Sequence, residues 1–467
     1  MNNKLKILIV GSGPSAYGFL NSINNFKKYE ITLIDNSEIK EFNTTECIFK
    51  QSFKGGTRLL SSKIHKDILI SEDFGGFSNF WGGTYDNPEE KIIESFRKCG
   101  IDFKIYLNIV DDLIPKLINN KNLEKLSTKN IYLDTLFPDS FFNNLNDNGF
   151  NFKSSEIAIN GHLKDEFIKD DICEFCRGFR SMCRENTIWS TSTYFLKLIN
   201  DNKITYEKNS KLDKFFEKEN KVFCNIIKDE SPVEVLYDKI ILAAGPVGTS
   251  EILLKSNLSR NIEIQTSDMI QLPFIKFFRT KKKLHSFCDL FTSIKINDYS
   301  TYHQLYLYSD SVLKLSEEKI RFAKLSRFLP EKILSMLGGI FIYLDSNISS
   351  KIIMSFENNE IKKEFIDEHK ILKKRIFKDF NKKLSKLNIF GLNFLKQEHF
   401  NGLAYHFGSQ FPLNNINTTN SSNILGKIPD FENVHIVDSS VLPKINTGPG
   451  VKTIIANSYR IGQEIFD

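Results

Sequence analysis

The hydrophobic positions near the N-terminus form continuous runs instead of alternating with polar ones. The first run fills Lys6–Val10 and predicts a fully buried strand. A glycine-containing turn over Gly11–Gly18 leads into apolar positions at helical spacing, which predict a helix over Ser15–Phe26. The next run, Glu30–Asp35, predicts a second strand. Strand, helix and strand in this order indicate a βαβ unit, so we expect an α/β fold that begins like a Rossmann domain.

The same pattern returns much later in the chain. Lys239–Ala244 is another buried run, and Gly245 and a predicted helix follow it. Val434–Asp438 predicts one more strand, and Thr453–Ile465 predicts a closing helix. A further helix is expected to begin near Ser190. The predicted nucleotide-binding domain is therefore discontinuous.

Between residues 258 and 398 the succession of buried strand, glycine turn and helix is no longer seen. Gln304–Tyr308 and Lys351–Phe356 are typical of strands, whereas residues 316–342 and 361–387 are predicted to be helical. We expect this block to form a second, α+β substrate-binding domain. The predicted nucleotide-binding domain comprises residues 1–110, 155–257 and 399–467, and the predicted substrate-binding domain comprises the insertion 111–154 and residues 258–398.

The first glycine turn has the spacing of a phosphate-binding loop. Gly11 permits a tight turn, Gly13 lets the backbone approach a pyrophosphate, and Gly18 allows close helix–strand packing. Ser15 and Ala16 occupy the first helical turn, where free N–H groups and the positive helix end attract phosphate. The alternative is a plain glycine turn, which the strand before it and the helix after it disfavour.

Asp35 lies at the end of the second strand, 22 residues after Gly13. This is close to the distance of about 20 residues expected for a carboxylate that binds the adenosine ribose. Such a carboxylate would repel a 2′-phosphate, which favours FAD or NAD over NADP. The alternative is a turn residue that simply ends the strand.

Four motifs occur together and in order: the loop Gly11–Gly18, then Gly75–Gly83, Ala243–Ser250 and Val437–Pro443. In this combination the chain resembles the glucose–methanol–choline (GMC) oxidoreductases, at both ends and over residues 170–256. The resemblance implies a Rossmann-like FAD-binding domain with an α+β substrate-binding domain. It does not extend to a recognisable motif in residues 258–398.

The resemblance also implies cofactor-binding residues. The stretch Gly75–Gly83 would wrap the flavin and the pyrophosphate, since glycines let the backbone pass close to a flat ring. It contains no histidine, so the FAD is expected to be non-covalent. The residues expected to bind FAD through these later motifs are Gly76, Ser78, Asn79, Trp81, Gly82, Gly245, Asp438 and Ser439.

Oxidation of a hydroxyl requires a base, and histidine is the default base near neutral pH. His406, within Ala404–Ser409, resembles the catalytic histidine of the family, although Phe407 stands where the family has proline. The alternative is a buried structural histidine, the role we expect for His435. The second catalytic position of the family, a histidine or asparagine, falls on Pro449, so the usual pair is incomplete.

The cysteines leave two interpretations open. Cys173, Cys176 and Cys183 have C-x2-C-x6-C spacing, the first pair of which suits a metal ligand set. Packing or reduced thiols are favoured, and no metal is predicted. Seven cysteines in 467 residues are too few for a disulfide scaffold, so a reducing cytoplasm is expected. No signal peptide or transmembrane helix is predicted.

The net charge of +6 is expected to be scattered, apart from the short clusters Lys281–Lys283 and Lys373–Arg375. Neither cluster alternates with aromatic residues, so no nucleic-acid partner is expected. The apolar stretch Phe322–Tyr343 is either core or a peripheral contact with a membrane or a lipid-linked substrate.

These expectations converge on FAD-dependent oxidation of a hydroxyl on a small or sugar-like molecule, with His406 as base and flavin N5 as hydride acceptor. Two alternative functions remain open. A redox-neutral flavoprotein such as a lyase or isomerase would accommodate Pro449. A non-catalytic FAD-binding protein would need no base at all.

Overall fold

The computed structural model describes most of the chain. The described residues are 4–37, 68, 70–71, 73–79, 81–119, 130–133, 137–154, 156–159, 188–258, 261–278, 290–296, 298–307, 330, 333, 335–400, 406–414, 421–429 and 431–466. Cys173, Cys176 and Cys183 lie outside these residues, as do Lys281–Lys283 and Phe322–Leu329.

The described residues form both helices and strands. The helices are α1 (Pro14–Asn21), α2 (Glu90–Lys98), α3 (Phe103–Asp111), α4 (Asp139–Asp147), α5 (Thr191–Asn200), α6 (Gly245–Lys255), α7 (Lys370–Lys386) and α8 (Val451–Phe466). The first strands are β1 (Leu5–Val10), β2 (Tyr29–Ile34), β3 (Lys116–Asn119), β4 (Asn130–Leu133), β5 (Asn151–Ser154), β6 (Glu156–Ala158), β7 (Thr205–Glu207), β8 (Ser210–Lys218), β9 (Lys221–Lys228), β10 (Ser231–Tyr237) and β11 (Lys239–Leu242). The later strands are β12 (Asn261–Thr266), β13 (Met269–Lys276), β14 (Leu290–Ile296), β15 (Tyr299–Leu307), β16 (Leu337–Leu344), β17 (Lys351–Glu357), β18 (Glu360–Ile366), β19 (Ile389–Gly391), β20 (Gln397–His399), β21 (Phe407–Gly408) and β22 (Val434–Ile436).

A five-stranded parallel sheet in the order β22-β11-β1-β2-β7 forms the centre of the first layer. The last four residues of β1 and β2 are fully buried, because helices cover both faces of a parallel sheet. The central strands are those predicted from the continuous apolar runs. Their carboxyl ends meet at one edge of the sheet, where ligands bind in open α/β sheets.

Helices α1 and α8 pack closely against each other, and small residues make this approach feasible. A Cβ on Gly18 would lie 2.4 Å from the carbonyl oxygen of Ile455 in α8. Gly462 has the reciprocal role, since its Cβ would meet the side-chain oxygen of Ser22 at 2.2 Å. Gly18 was predicted to serve helix–strand packing; the structure corrects this to helix–helix packing.

The region after residue 258 forms two antiparallel sheets. The four-stranded sheet has the order β18-β17-β12-β21, and the seven-stranded sheet has the order β19-β13-β16-β15-β14-β5, with β20 also paired to β13. Strand β5 comes from the predicted insertion and joins the edge strand β14. A separate hydrophobic core lies under the seven-stranded sheet, where Phe380 of α7 packs with Ile340 and Ile342 of β16.

Two helix predictions are wrong in part. Residues 316–342 were expected to be helical, but Leu337–Leu344 is the strand β16 at the middle of the seven-stranded sheet. Its side chains are almost all buried, because one face meets the core and the other faces a cavity. The end of the apolar stretch Phe322–Tyr343 that lies in β16 is therefore interior, whereas Ile333 before it is 44% exposed. Residues 361–387 were also expected to be helical, but the helix begins only at Lys370, after the strand β18.

Among the described residues we find no helix that combines the length and the apolar character needed to span a membrane.

Candidate functional site

A cavity of about 380 Å³ opens where the carboxyl ends of β1, β2 and β11 meet. It continues from this edge to the side chains of β15 and β16 in the seven-stranded sheet. Of the predicted site residues, Gly11, Gly13, Ser15, Asp35, Gly76, Ser78, Trp81, Gly82, Gly245, His406, Asp438 and Ser439 line this cavity. The structure thus brings together residues that are more than 400 positions apart in the chain.

The two glycines of the first loop serve different purposes. Gly11 has φ +98°, and a Cβ there would lie 2.5 Å from the carbonyl oxygen of Ala243. Gly13 has an ordinary φ of −78°, and a Cβ there would have no protein atom within 4 Å. Gly11 is therefore required by the protein itself, whereas the space beside Gly13 belongs to the cavity.

Two helices begin at the cavity without a side-chain cap. Gly13 is the N-cap of α1, and Ala244 is the N-cap of α6. The first N–H groups of a helix have no partner within the helix, and they carry the positive end of its dipole. Two such helix ends on one cavity make it a suitable place for negatively charged groups.

Asp35 follows β2 directly and is held by Ser12. The backbone N–H of Ser12 donates to the Asp35 carboxylate at 3.0 Å, and the Ser12 hydroxyl also donates to it. Burial raises the pKa of Asp35 to about 7, although these hydrogen bonds lower it. The Ser12 hydroxyl in turn accepts from the N–H of Gly75 at 2.7 Å, which ties the first loop to the Gly75–Gly83 stretch. Sequence reasoning did not single out Ser12.

The described side chains of the Gly75–Gly83 stretch differ in whether they face the cavity or the protein. Trp81 lines the cavity and donates from Nε1 to the carbonyl oxygen of Trp189 at 2.9 Å. Ser78 also lines it, while its hydroxyl donates to the carbonyl oxygen of Gly75 at 2.6 Å. Asn79 does not line the cavity, because its amide donates to the carbonyl oxygen of Phe74 at 2.7 Å and accepts from Ser192. Asn79 shapes the turn instead of facing a ligand.

Ala16 and Gly18 also lie outside the cavity lining. Both are buried in α1, and Gly18 faces α8. Of the fourteen predicted cofactor-binding residues, Ala16 and Gly18 support the site through packing, and Asn79 supports it through hydrogen bonds to the protein.

Asp438 joins the end of β22 to α6. Its carboxylate accepts from the hydroxyl of Thr249 at 2.6 Å and from the N–H of Ser440 at 2.9 Å. Burial raises the pKa of Asp438 above its ordinary value. It caps the short 3-10 segment Ser439–Val441, so Asp438 combines a structural role with a place on the cavity wall.

The opposite end of the cavity is built from side chains of the seven-stranded sheet. The rings of Tyr343 and His406 are stacked, with centroids 4.9 Å apart and planes at 14°. The Tyr343 hydroxyl donates to Oε1 of Gln304 at 2.8 Å, and Nε2 of Gln304 donates to the hydroxyl of Thr84 at 3.2 Å. Phe341 lies opposite Gln304 in the register of β15 and β16. These residues place His406 in a hydrogen-bonded aromatic wall that no sequence motif indicated.

His406 is positioned by backbone contacts on both sides. Its carbonyl oxygen accepts from the N–H of Ser267 at 3.0 Å. Two residues further on, a Cβ on Gly408 would lie 2.4 Å from the carbonyl oxygen of Ser439. The small residue at 408 therefore lets the His406 segment lie directly against the segment that follows Asp438.

The loop that carries Pro449 is held in place by Glu89. The Glu89 carboxylate accepts from the N–H of Thr447 at 2.8 Å and from the N–H of Gly448 at 3.3 Å, and it pairs with Lys91 at 2.7 Å. Pro449 lines the cavity, whereas Thr447 is fully buried outside the lining. Position 449 thus contributes a ring surface to the cavity, while its backbone carbonyl accepts from the side-chain amide of Asn446 at 3.3 Å.

Two other histidines are structural. His435 is buried, Nδ1 lies 3.0 Å from the carbonyl oxygen of Leu425, and burial lowers its pKa to about 4. His303 is buried between Thr292 and Thr301, and burial lowers its pKa to about 3. Among the described residues no group of histidine, cysteine, aspartate and glutamate could hold a metal ion.

Comparisons with known proteins identify a solved structure that has a similar fold. A scan against protein-family models gives no match, and a search of curated protein sequences gives none either. Among solved structures, the chain is similar to the crystal structure of pyridoxine 4-oxidase from Mesorbium loti, with a TM-score of 0.63 and 8% sequence identity. The match covers 99% of each chain. Over its whole length, the chain therefore has the fold of pyridoxine 4-oxidase.

Proposed function

We propose that this chain is an FAD-dependent oxidoreductase of the GMC type that oxidises a hydroxyl group of a small molecule. The observation that carries the proposal is the continuous cavity, with two uncapped helix N-termini at one end and His406 in an aromatic wall at the other. The likeness of the fold to an oxidase along the whole chain supports it.

The residues present fit FAD. The N-terminal ends of α1 and α6 would bind the pyrophosphate, for which the open space beside Gly13 leaves room. Asp35 would accept hydrogen bonds from the adenosine ribose. The Gly75–Gly83 stretch, which contains no histidine, would lie along the flavin without a covalent bond. The bound flavin would supply the hydride acceptor, N5.

His406 would act as the general base. Its imidazole would take the proton from the substrate hydroxyl as the carbon–hydrogen bond breaks. Stacking on Tyr343 fixes the plane of the ring, and the hydrogen bond from Tyr343 to Gln304 fixes Tyr343 in turn. Pro449 supplies no side-chain donor or acceptor, so in this proposal His406 carries the proton alone.

The cavity wall near His406 favours an uncharged substrate. Gln304, Tyr343, Phe341 and Thr84 are neutral, and Gln304 is the polar side chain that joins two of the others. Binding a phosphate or carboxylate there would leave a charge without a counter-ion, which is costly in a desolvated site. We therefore favour a neutral alcohol over a phosphorylated sugar, and we place the enzyme in a reducing cytoplasm because its cysteines are few.

The first test uses the purified protein loaded with FAD. Its absorption spectrum is recorded without oxygen while neutral alcohols are added one at a time, pyridoxine and benzyl alcohol among them. Bleaching of the flavin band is the expected result. Replacing His406 with alanine or asparagine should slow bleaching by about 100-fold or more while the flavin remains bound.

The outcomes separate the alternatives. Failure to bind FAD would overturn the whole proposal. Bound flavin that no alcohol bleaches would favour the redox-neutral or non-catalytic interpretation. Bleaching that persists at the normal rate in the His406 variants would remove His406 from the role of base but would leave the oxidoreductase function in place.

A further inference from the structure

The positive charge of the chain is concentrated on one helix. Helix α7 carries seven lysines and one arginine against a single aspartate, a net charge of +7. The whole chain has +6, so all the other residues together contribute −1. The cluster Lys373–Arg375 is one turn of a longer basic segment.

The basic side chains lie on the outward face of α7. Ile376, Phe377, Phe380 and Leu384 are buried against the core under the seven-stranded sheet. Lys373 is buried as well and pairs with Asp268 and Asp367, each at 2.7 Å. The remaining cations are outside this core contact, and all but the half-buried Lys383 are exposed: Lys370, Lys374, Arg375, Lys378, Lys382 and Lys386.

This arrangement costs the helix stability. Lys374, Lys378 and Lys382 follow one another at i,i+4 spacing, and each such pair of like charges costs about 0.2–0.5 kcal/mol. The first turn has no acidic residue and contains the exposed Lys370 at the positive end of the helix dipole. A negatively charged partner would relieve both effects.

Apolar side chains protrude beside this basic face. Ile371 is 77% exposed and shares the face with Lys374 and Lys378. Phe394 is 78% exposed and belongs to the 3-10 segment Asn393–Leu395. That segment is tied to α7, because Asn381 donates its amide to Asn393 at 2.8 Å.

Two exposed aromatic rings lie on β19 and just after the end of β13. Phe390 belongs to β19, which packs against α7, and it meets Phe277 edge to face at 5.5 Å. These rings are 45% and 59% exposed. The basic face of α7 with Ile371, Phe394, Phe390 and Phe277 is called the α7 surface below.

We propose that the α7 surface docks the protein on an anionic membrane surface, with its lysines at the lipid headgroups and Ile371 and Phe394 entering the boundary of the acyl chains. Clusters of four to eight basic residues on an amphipathic helix are typical of binding to anionic lipids. Exposed apolar side chains next to them add burial to the electrostatic attraction. An exposed isoleucine has no ring to stack on a base, which favours lipid over nucleic acid as the partner.

The test is sedimentation of the purified full-length protein with lipid vesicles. Vesicles of equal parts phosphatidylglycerol and phosphatidylcholine should bind it, and vesicles of phosphatidylcholine alone should not. Added salt should release it, since exposed charges are screened. Absence of binding to the anionic vesicles, or equal binding to both kinds, would overturn the proposal.

Three sets of variants locate the contact. Combined Lys374→Gln, Lys378→Gln and Lys382→Gln should weaken binding to anionic vesicles by at least about tenfold. Combined Ile371→Ser and Phe394→Ser should weaken it severalfold. The matched control changes three exposed lysines outside the α7 surface, Lys27, Lys28 and Lys214, to glutamine and should bind like the parent.

All of these positions are exposed or nearly so, and an unchanged far-ultraviolet circular dichroism spectrum confirms that the variants fold. An equal loss of vesicle binding in the control variant would show that net charge alone drives binding, and the α7 surface would not be the docking site. If the variant with Ile371→Ser and Phe394→Ser bound anionic vesicles as tightly as the parent, the proposed insertion of these two side chains into the lipid would be wrong. Binding to a DNA duplex without binding to vesicles would assign the surface to nucleic acid and would also overturn the proposal.

Discussion

The two ends of the cavity are built by different means. At the Gly11 end the backbone makes the site, through glycines, helix N-termini and strand ends. At the His406 end side chains from distant strands make it, through the stacked ring of Tyr343 and the amide of Gln304. A site formed by the backbone restricts which residue types fit at each position, so it can be recognised in the sequence as a motif. A side-chain site depends on which strands pair, and the sequence alone does not give that pairing.

The largest effects are expected from substitutions of the two glycines in the first loop. They test whether the backbone forms the Gly11 end of the cavity. Gly11→Ala adds a Cβ at a positive φ and 2.5 Å from Ala243. We expect a loss of stability of about 2–5 kcal/mol, the sum of backbone strain and overpacking. Thermal unfolding of the apoprotein measures it.

Gly13→Ala is the matched comparison. Its Cβ would touch no protein atom, so the apoprotein should keep its melting temperature while FAD affinity falls by about tenfold or more. A stable Gly13→Ala variant with normal FAD affinity would show that the cofactor does not approach this residue. Equal instability of both variants would contradict the difference between the two glycines.

The next effect tests the side-chain end. Gln304→Leu removes the group that accepts from Tyr343 and donates to Thr84. We expect kcat/KM to fall by about 10- to 100-fold, because a small displacement of Tyr343 misplaces His406, while FAD affinity stays the same. Stopped-flow bleaching and flavin titration measure the two quantities. A fall in FAD affinity as large as the fall in kcat/KM would show that the two ends are not independent.

The difference between the end of the cavity built by the backbone and the end built by side chains also explains which parts of the structure the sequence predicts. The parallel strands and the loop were predicted because continuous apolar runs and glycine spacing are local. Strand β16 was predicted to be helical because Ile340 and Ile342 face the core while Phe341 and Tyr343 face the cavity, which removes the alternation expected of a strand. Gln304 was placed in a predicted strand, but its partners Thr84 and Tyr343 are 220 and 39 residues away.

Asp35 offers a test with a pH signature at the nucleotide end. Its pKa is about 7 in the folded protein against an ordinary value of 3.8, so the folded state favours the protonated form. The stability that this provides is complete below about pH 4 and is lost as the pH rises through 7. Asp35→Asn should therefore raise the melting temperature of the apoprotein at pH 8 relative to the parent but leave it unchanged near pH 4.

At pH 8, where Asp35 is mostly ionised, the same substitution should weaken FAD binding by about tenfold, since a neutral acceptor replaces a charged one. Asp86→Asn is the control. Burial also raises the pKa of Asp86 to about 7, but Asp86 does not line the cavity. It should reproduce the pH effect on stability and keep normal FAD affinity. Loss of affinity in the Asp86 variant, or none in the Asp35 variant, would contradict the assignment of Asp35 to the cofactor.

The smallest expected effect separates the hydroxyl of Tyr343 from its ring. Tyr343→Phe keeps the ring that stacks on His406 and removes the hydrogen bond to Gln304, which is worth about 0.5–1.5 kcal/mol. We expect kcat to fall by about two- to tenfold with unchanged FAD affinity, and Tyr343→Leu, which also removes the ring, to cost more. Tyr302→Phe removes a hydroxyl from the directly paired position on β15 and should have little effect. If Tyr343→Phe and Tyr343→Leu were equally slow, the stacked ring would contribute nothing, and the hydroxyl of Tyr343 would account for the whole effect of this side chain.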